Sequence, residues 1–418
     1  MNSNHRSPLL QVSLSVRSKD ASSRDPAERL VTQPDHLAAC VEELNEAKSF
    51  GLDTEFIGEA SYHPRLCLIQ VATADALFLI DPFTVGPLDA FWSAVVDPAN
   101  LVIVHAGREE VRLCHLACGK SPSNLIDLQL AAGLAGLHYP LGHGPLVKEV
   151  LGITLSKGET LTEWAARPLT KSQIHYAFDD VRYLLSVWNR LSSRLEKLGR
   201  TEWVKEDVAR LVAGSKPHTT ADFGASEKWR KLRGVGGLDR RRLAIVRELF
   251  YWREETASKS NRPPRTIVRD DLLLEIARRG PVSEHDLSVI RGLAKRHLAA
   301  IVETVERGQS VPLQECPLPA ERDQDPPQFA LVVGTLMAVL GDLCARKQLA
   351  PSLVASTQDV KLLVRAEAQG AELPDDSMLT IGWRKKHILP ELLAVLQGRR
   401  TVRIADLRSD APLAYDDK

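Results

Sequence analysis

The sequence predicts an α/β domain built on a mixed sheet, followed by two small all-α domains. Three observations point there. Between about residues 50 and 106 the chain carries successive apolar runs of strand length, and longer segments with helical spacing take over after them. From Lys228 to Gly308, and again from about 328 to 412, the pattern is helical throughout. Polar stretches containing Gly, Pro and Ser at 211–226 and 310–327 read as linkers between these regions.

In chain order, residues 1–25 are polar, lack the basic start and apolar core of a secretory signal, and are expected to be a disordered tail. The first domain spans 26–210. Its strands are expected at Phe50–Phe56, Leu66–Ala72, Ala76–Asp81 (stopped by Pro82) and Leu101–Ala106 (broken by Gly107). Helices follow at about 108–117 and 125–137, and one long helix is expected over 171–198, ending at Gly199. The helical domain at 227–309 is punctuated by Gly234-Val-Gly-Gly237, Arg262-Pro-Pro-Arg265 and Gly280-Pro281. The second, at 328–412, is punctuated by Gly341, Pro351, Pro374 and Gly398, and 413–418 is expected to be a tail.

Bulk properties narrow the function classes. A chain of 418 residues suits two or three domains. Its 54 basic and 54 acidic residues cancel, so any nucleic-acid contact must come from a local patch. One such patch is suggested: residues 228–308 hold 19 basic and 11 acidic side chains. No run of about 18 apolar residues occurs, so no membrane span is expected. Six cysteines in so long a chain make no disulfide framework, which favours a reducing, cytoplasmic setting.

Two acidic pairs carry the chemistry. Asp53 and Glu55 stand two apart on a strand and share a face. Tyr176 and Asp180 stand four apart on a helix and also share a face, which Asp179 does not. Gathered carboxylates repel one another unless cations hold them, and hard divalent cations take oxygen ligands. Taken singly, each pair is more often a strand end or a surface pair; taken together they suggest metal-assisted phosphodiester hydrolysis.

Leu52-Asp-Thr-Glu-Phe56 with Tyr62-His-Pro-Arg-Leu-Cys-Leu-Ile-Gln-Val-Ala72 resembles the first exonuclease motif of the ribonuclease D family. Val104-His-Ala-Gly-Arg-Glu-Glu-Val111 resembles its second motif, and Tyr176-Ala-Phe-Asp-Asp-Val-Arg-Tyr-Leu184 its third. Glu163-Trp-Ala-Ala-Arg-Pro-Leu169 is similar to the family's spacer. Trp229-Arg-Lys-Leu through Arg291-Gly-Leu293 resembles the HRDC module, and Gly382-Trp-Arg384 fits a second, weaker one.

The resemblance implies a ribonuclease H-like exonuclease domain with two HRDC-type domains behind it, and a 3′→5′ exoribonuclease of the DEDD type, tyrosine subclass. It implies two divalent ions, Mg²⁺ or Mn²⁺, held by Asp53, Glu55, Glu110 and Asp180, with Tyr176 orienting the attacking water. The implied partner is RNA with a single-stranded 3′ end, tRNA precursors first, with no membrane and no obligate protein partner. One residue departs: the second motif normally supplies Asp where Glu110 stands, with Glu109 beside it. That keeps a rival reading open, a catalytically degenerate RNA-binding protein; a DNA-directed exonuclease is a third.

Other side chains invite readings of their own. Lys157 and Arg167 are candidate phosphate contacts, Arg167 equally a partner for carboxylates. His105 reads as a structural histidine beside the site, and Asp127 as structural or at the substrate's edge. Cys114 and Cys118 suit a buried apolar helix face better than zinc. Arg240, Arg241, Arg242, Arg262, Arg265, Arg269, Arg278 and Arg279 form either a phosphate-tracking surface, with Trp229 and Trp252 as stacking aromatics, or a solvated face.

Overall fold

The computed structural model describes residues 26–58, 61–156, 163–216, 227–281, 283–319, 325–375 and 377–417. In chain order the first domain comprises β1 (Ala27–Val31), α1 (Pro34–Ala47), β2 (Ser49–Ile57), β3 (Arg65–Ala72), β4 (Ala76–Ile80), α2 (Asp89–Val96), β5 (Leu101–Val104), α3 (Arg108–Cys118), β6 (Leu125–Asp127), α4 (Leu128–Leu134), α5 (His143–Leu151), α6 (Lys171–Arg182), α7 (Leu184–Lys197) and α8 (Thr201–Ser215). The sheet order is β1-β4-β3-β2-β5-β6. β3 runs antiparallel to both β2 and β4, while β1–β4, β2–β5 and β5–β6 pair in parallel. The sheet is therefore mixed, as the strand-first pattern implies. Its central strands are apolar because both faces are covered: β4 is buried along its whole length.

Three expectations for this domain need correction. The helix expected over 125–137 begins with a strand: Leu125–Asp127 extends the sheet beside β5, and α4 starts only at Leu128. The long helix expected over 171–198 is two helices, broken at Tyr183, where ψ is −2°. The break lets α6 lie on β2, β3 and β4 while α7 turns onto α4, α5 and β5. β1 and α1 escape the apolar-run pattern, since four of the five β1 residues are exposed.

The second unit holds α9 (Arg240–Lys259), α10 (Pro264–Ile267), α11 (Asp270–Arg279), α12 (Glu284–Ser288) and α13 (Leu298–Ser310). It closes around its own core, with Trp229, Leu249, Leu273 and Ile301 fully buried. Tyr62 of the first domain packs against that core and donates to Glu254. His63 adds two contacts: its backbone N–H donates to Asn261 Oδ1 at 2.9 Å, and its ring lies 3.3 Å from the Ser258 hydroxyl.

The third unit holds α14 (Pro327–Arg346), α15 (Pro351–Val354), α16 (Thr357–Gln369), α17 (Gly382–His387), α18 (Leu389–Leu396), β7 (Arg400–Ile404) and β8 (Leu413–Asp417). It is not all-α, and within the tail expected over 413–418 the described residues Leu413–Asp417 form a strand: β7 and β8 pair antiparallel. The hairpin is anchored by the buried Asp342, which accepts from Leu413 N at 2.8 Å and from the Tyr415 hydroxyl at 2.7 Å. By length and composition α14 is apolar enough to cross a membrane, with a mean hydropathy of 1.8 over its most apolar window. One face of it packs into the core, burying Val333, Leu336, Val339, Leu340 and Leu343, with Asp342 ion-paired to Arg346, while Leu331 is exposed.

This unit shares one continuous apolar core with the first domain. The weld is made on α8. Trp383 stacks on Trp203 with ring centroids 4.4 Å apart, and its backbone N–H donates to Glu206. Arg384 forks onto Asp207 at 2.6 and 2.9 Å and also donates to the carbonyls of Leu353 and Val354. Both side chains of that ion pair are almost fully buried.

Candidate active site

Asp53 and Glu55 lie on β2 next to the middle of the sheet, on the face covered by α6 and α7. Gly51 marks that face: a side chain there would meet Leu184 of α7 at 3.0 Å. The capping box of Thr170 and Gln173 fixes the start of α6, and two turns on Tyr176 and Asp180 project together. The Tyr176 hydroxyl lies close enough to the Asp180 carboxylate for each to shift the other's titration. Trp164 lies against the Tyr176 ring, centroids 6.1 Å apart.

These groups feel one another. Burial, then the charges of Glu110, Asp180 and Glu55, lift Asp53 well above the usual carboxylate range. Burial with Asp180 and Glu110 pushes Glu55 up to about 8. Burial lifts Asp180 to about 7, partly offset by the neighbouring Tyr176 hydroxyl. The Tyr176 phenol is pushed upward by burial and by the same carboxylates, so it stays protonated. Among the described residues no Lys or Arg is paired with any of the four acids.

Glu110 arrives from the first turn of α3 and is buried, with its carboxyl raised to about 7, chiefly by burial. Its Oε1 accepts from the Thr54 hydroxyl at 2.8 Å. Thr54 faces the side of β2 opposite Asp53 and Glu55, so Glu110 sits at the edge of the cluster with one oxygen engaged behind it. Among the described residues no three His, Cys, Asp or Glu side chains converge tightly enough to chelate an ion as they stand.

Asp127 sets the turn that delivers Glu110. It is buried and accepts four backbone N–H groups: Ala106 at 3.3 Å, Gly107 at 2.9 Å, Gln129 at 2.8 Å and Leu130 at 3.2 Å. It thus caps α4 and holds the residues before α3, a structural role. Gly107 is forced, since a Cβ there would collide with Val104 at 2.3 Å. His105 is structural too, its Nε2 lying 2.9 Å from the Leu141 carbonyl.

His143 is a site residue that no spacing in the sequence announces. It opens α5, its Nδ1 lies 3.9 Å from Asp180 Oδ1, and its ring leans on His105 at 5.6 Å. Burial, then the neighbouring His105, lowers it to about 4, so it is neutral. Its Nε2 is buried without a partner.

Arg167 is not a phosphate contact. Its guanidinium forks onto Asp81 at 2.5 and 3.0 Å and donates to the carbonyls of Cys67, Trp164 and Ala166, which uses all its donors. Lys157 lies outside the described residues. Cys114 is buried and its thiol lies 3.9 Å from that of Cys118, with no third ligand among the described residues. The basic surface is mostly spoken for. Arg240 and Arg241 hold the following linker by its carbonyls, and Arg242, Arg265, Arg269 and Arg279 pair with local acids. Trp229 is fully buried, so it offers no stacking face. Arg262 and Arg296 are exposed beside His297 and the half-buried Trp252, and neither is paired with a carboxylate among the described residues.

Comparison with known proteins identifies the family. A 3′-5′ exonuclease family model matches residues 29–196, and an HRDC domain model matches 242–305. Ribonuclease D of Gluconacetobacter diazotrophicus is 31% identical over 399 residues, covering 94% of this chain and 98% of the relative. That of Granulibacter bethesdensis is 32% identical over 390 residues, 91% and 95% of the two chains. The crystal structure of Escherichia coli RNase D, an exoribonuclease involved in structured RNA processing, matches with a TM-score of 0.77 at 27% identity over 89% of this chain and 99% of that one. With a mixed-sheet exonuclease domain, an HRDC domain and relatives spanning nearly its whole length, the chain belongs to the ribonuclease D family of 3′→5′ exoribonucleases.

Proposed function

We propose that this exoribonuclease works by two-metal hydrolysis, with Asp53, Glu55, Glu110 and Asp180 as the ligands. The observation that carries this is the grouping of four carboxylates from β2, α3 and α6, each raised by burial and two of them, Asp53 and Glu55, also by other members of the set, with no basic side chain paired to them among the described residues. Such a set is all oxygen and fits Mg²⁺ or Mn²⁺. Two bound ions would neutralise the site and stabilise both the attacking and the leaving oxygen. Asp53 is the natural bridging ligand, being under pressure from all three other acids. Tyr176 remains a hydrogen-bond donor at every working pH, and its place beside Asp180 aims the phenol into the site, where it would hold the attacking water in line. Glu110 would turn from Thr54 toward the second ion, a rotation its extra methylene allows.

The substrate we favour is structured RNA with a short single-stranded 3′ extension, tRNA precursors first; the role of the Escherichia coli relative in structured RNA processing supports the structured-RNA class. Arg262 and Arg296 are exposed cations, unpaired with carboxylates among the described residues, that could meet phosphates beside the contact between the HRDC domain and the loop that follows β2. We read the third unit as a second HRDC-like domain, supported by its Gly382-Trp-Arg384 turn. All six cysteines are unpaired, which supports a reducing compartment such as the cytoplasm.

The test is hydrolysis of 5′-labelled single-stranded RNA and a matched DNA with Mg²⁺ or Mn²⁺, beside Glu110→Gln and Glu110→Asp. A ladder shortening from the 3′ end, weakened or lost in Glu110→Gln and kept in Glu110→Asp, is expected. Undiminished turnover in Glu110→Gln would remove Glu110 from the ligand set.

A further inference from the structure

Gln70 stands on β3 directly opposite Asp53 in the antiparallel pair. Residues so paired share a face of the sheet, with Cβ atoms ~4.5–5.5 Å apart. Gln70 is fully buried, and neither its amide nitrogen nor its amide oxygen has a hydrogen-bond partner. An amide desolvated on both atoms destabilises a fold unless it answers another need. Its other cross-strand neighbour is Leu79 on β4, which offers no polar atom, and α6 closes the face above it. The polar group paired across the strand is the Asp53 carboxylate.

We propose that Gln70 is a positioning residue for Asp53: in the metal-loaded enzyme its side-chain N–H donates to the Asp53 carboxylate and fixes the orientation in which that carboxylate bridges the ions. This rests on the two-metal reading above. A carboxylate bound to a cation keeps a lone pair for a neighbouring donor, and such donors hold ligands in place. The Thr54 backbone N–H beside Asp53 already favours its charged form. The Gln70 amide adds a second donor, from the neighbouring strand, so that both strands of the pair grip the ligand. The buried amide is then a device set in the metal-free fold and satisfied on loading.

Gln70→Met, close in volume and without hydrogen-bonding atoms, separates this role from a merely structural one. Measured on the full chain are the thermal midpoint in chelator, Mn²⁺ binding by calorimetry, and kcat and KM on single-stranded RNA. The expected result is an unchanged or higher midpoint, Mn²⁺ binding weakened ~10–100-fold and kcat lowered by a similar factor, with KM unchanged. Wild-type Mn²⁺ affinity and kcat in the variant would overturn the proposal, as would a midpoint that drops while Mn²⁺ affinity holds. Gln70→Leu is the second variant should methionine disturb packing. Failure of the wild-type chain to bind Mn²⁺ would sink the two-metal reading itself, a result distinct from either outcome for Gln70.

Discussion

Replacing Asp180 by Asn is expected to stabilise the metal-free fold while destroying its chemistry. In the folded chain burial lifts the Asp180 carboxyl from 3.8 to about 7. At ~1.4 kcal/mol per pKa unit, a shift of about three units is worth ~4 kcal/mol for an isolated group. Proton sharing among interacting carboxylates reduces what one substitution recovers to ~1–2 kcal/mol. The folded pKa lies above the unfolded one, so the folded chain binds the proton more tightly. The contribution is fully present below about pH 4 and is lost as pH rises through about 7. Asn is neutral throughout. The variant should therefore match the wild type near pH 4.5 and melt ~2–8 °C higher at pH 8, using ~2–4 °C per kcal/mol for a domain of this size. The assay is thermal unfolding in chelator at both pH values, repeated with Mn²⁺. Saturating Mn²⁺ should reverse the order, since an ion at ~100 times its dissociation constant stabilises the wild type by ~2.7 kcal/mol. An Asn variant that is less stable at pH 8, or whose advantage does not change with pH, would refute the reasoning.

Three further outcomes are expected. Arg167→Ala strands the Asp81 carboxylate and should cost ~3–5 kcal/mol in urea unfolding, with RNA affinity unchanged; a loss of RNA binding in a stable variant would restore Arg167 to the substrate path. Arg384→Met leaves Asp207 buried beside α8 and should cost a similar ~3–5 kcal/mol, exposing the third unit to limited proteolysis before the HRDC domain; a wild-type cleavage pattern would contradict the weld. Tyr176→Phe should lower kcat ~100-fold or more at unchanged RNA affinity, whereas near-normal kcat would place water orientation elsewhere.

What the sequence made legible, and what it hid, follows from the range of the signal. Asp53–Glu55 and Tyr176–Asp180 were readable because each pair lies on one element, where spacing alone decides the face. The strands β2 to β5 were readable because they are doubly covered and so nearly continuous in apolar residues. β1 was hidden because it is an edge strand with most of its residues exposed. The break at Tyr183 has no Gly or Pro; it arises because two surfaces need covering at different angles, which only the assembled domain shows. His143 and Gln70 were hidden for a related reason: each reaches the site from another element, and His143 opens a helix whose place is set by packing. The arginines were open to two readings, a phosphate-tracking surface or a solvated face, and Arg242, Arg265, Arg269 and Arg279 follow the second by pairing with local acids. Local density counted them as a surface, but Arg240 and Arg241 are tied to the linker that follows α13, a long-range pairing no local count reveals.

The glutamate at position 110 is best understood with Thr54. An aspartate on the first turn of α3 would hold its carboxylate one methylene, ~1.5 Å, closer to its own helix. The longer side chain of Glu110 reaches Thr54 instead, where a neutral hydroxyl satisfies one oxygen at 2.8 Å. That bond offsets part of the desolvation that lifts the carboxyl to about 7. In the two-metal reading proposed above, Glu110 would exchange its bond to Thr54 for an ion, so glutamate and threonine at these positions would act together.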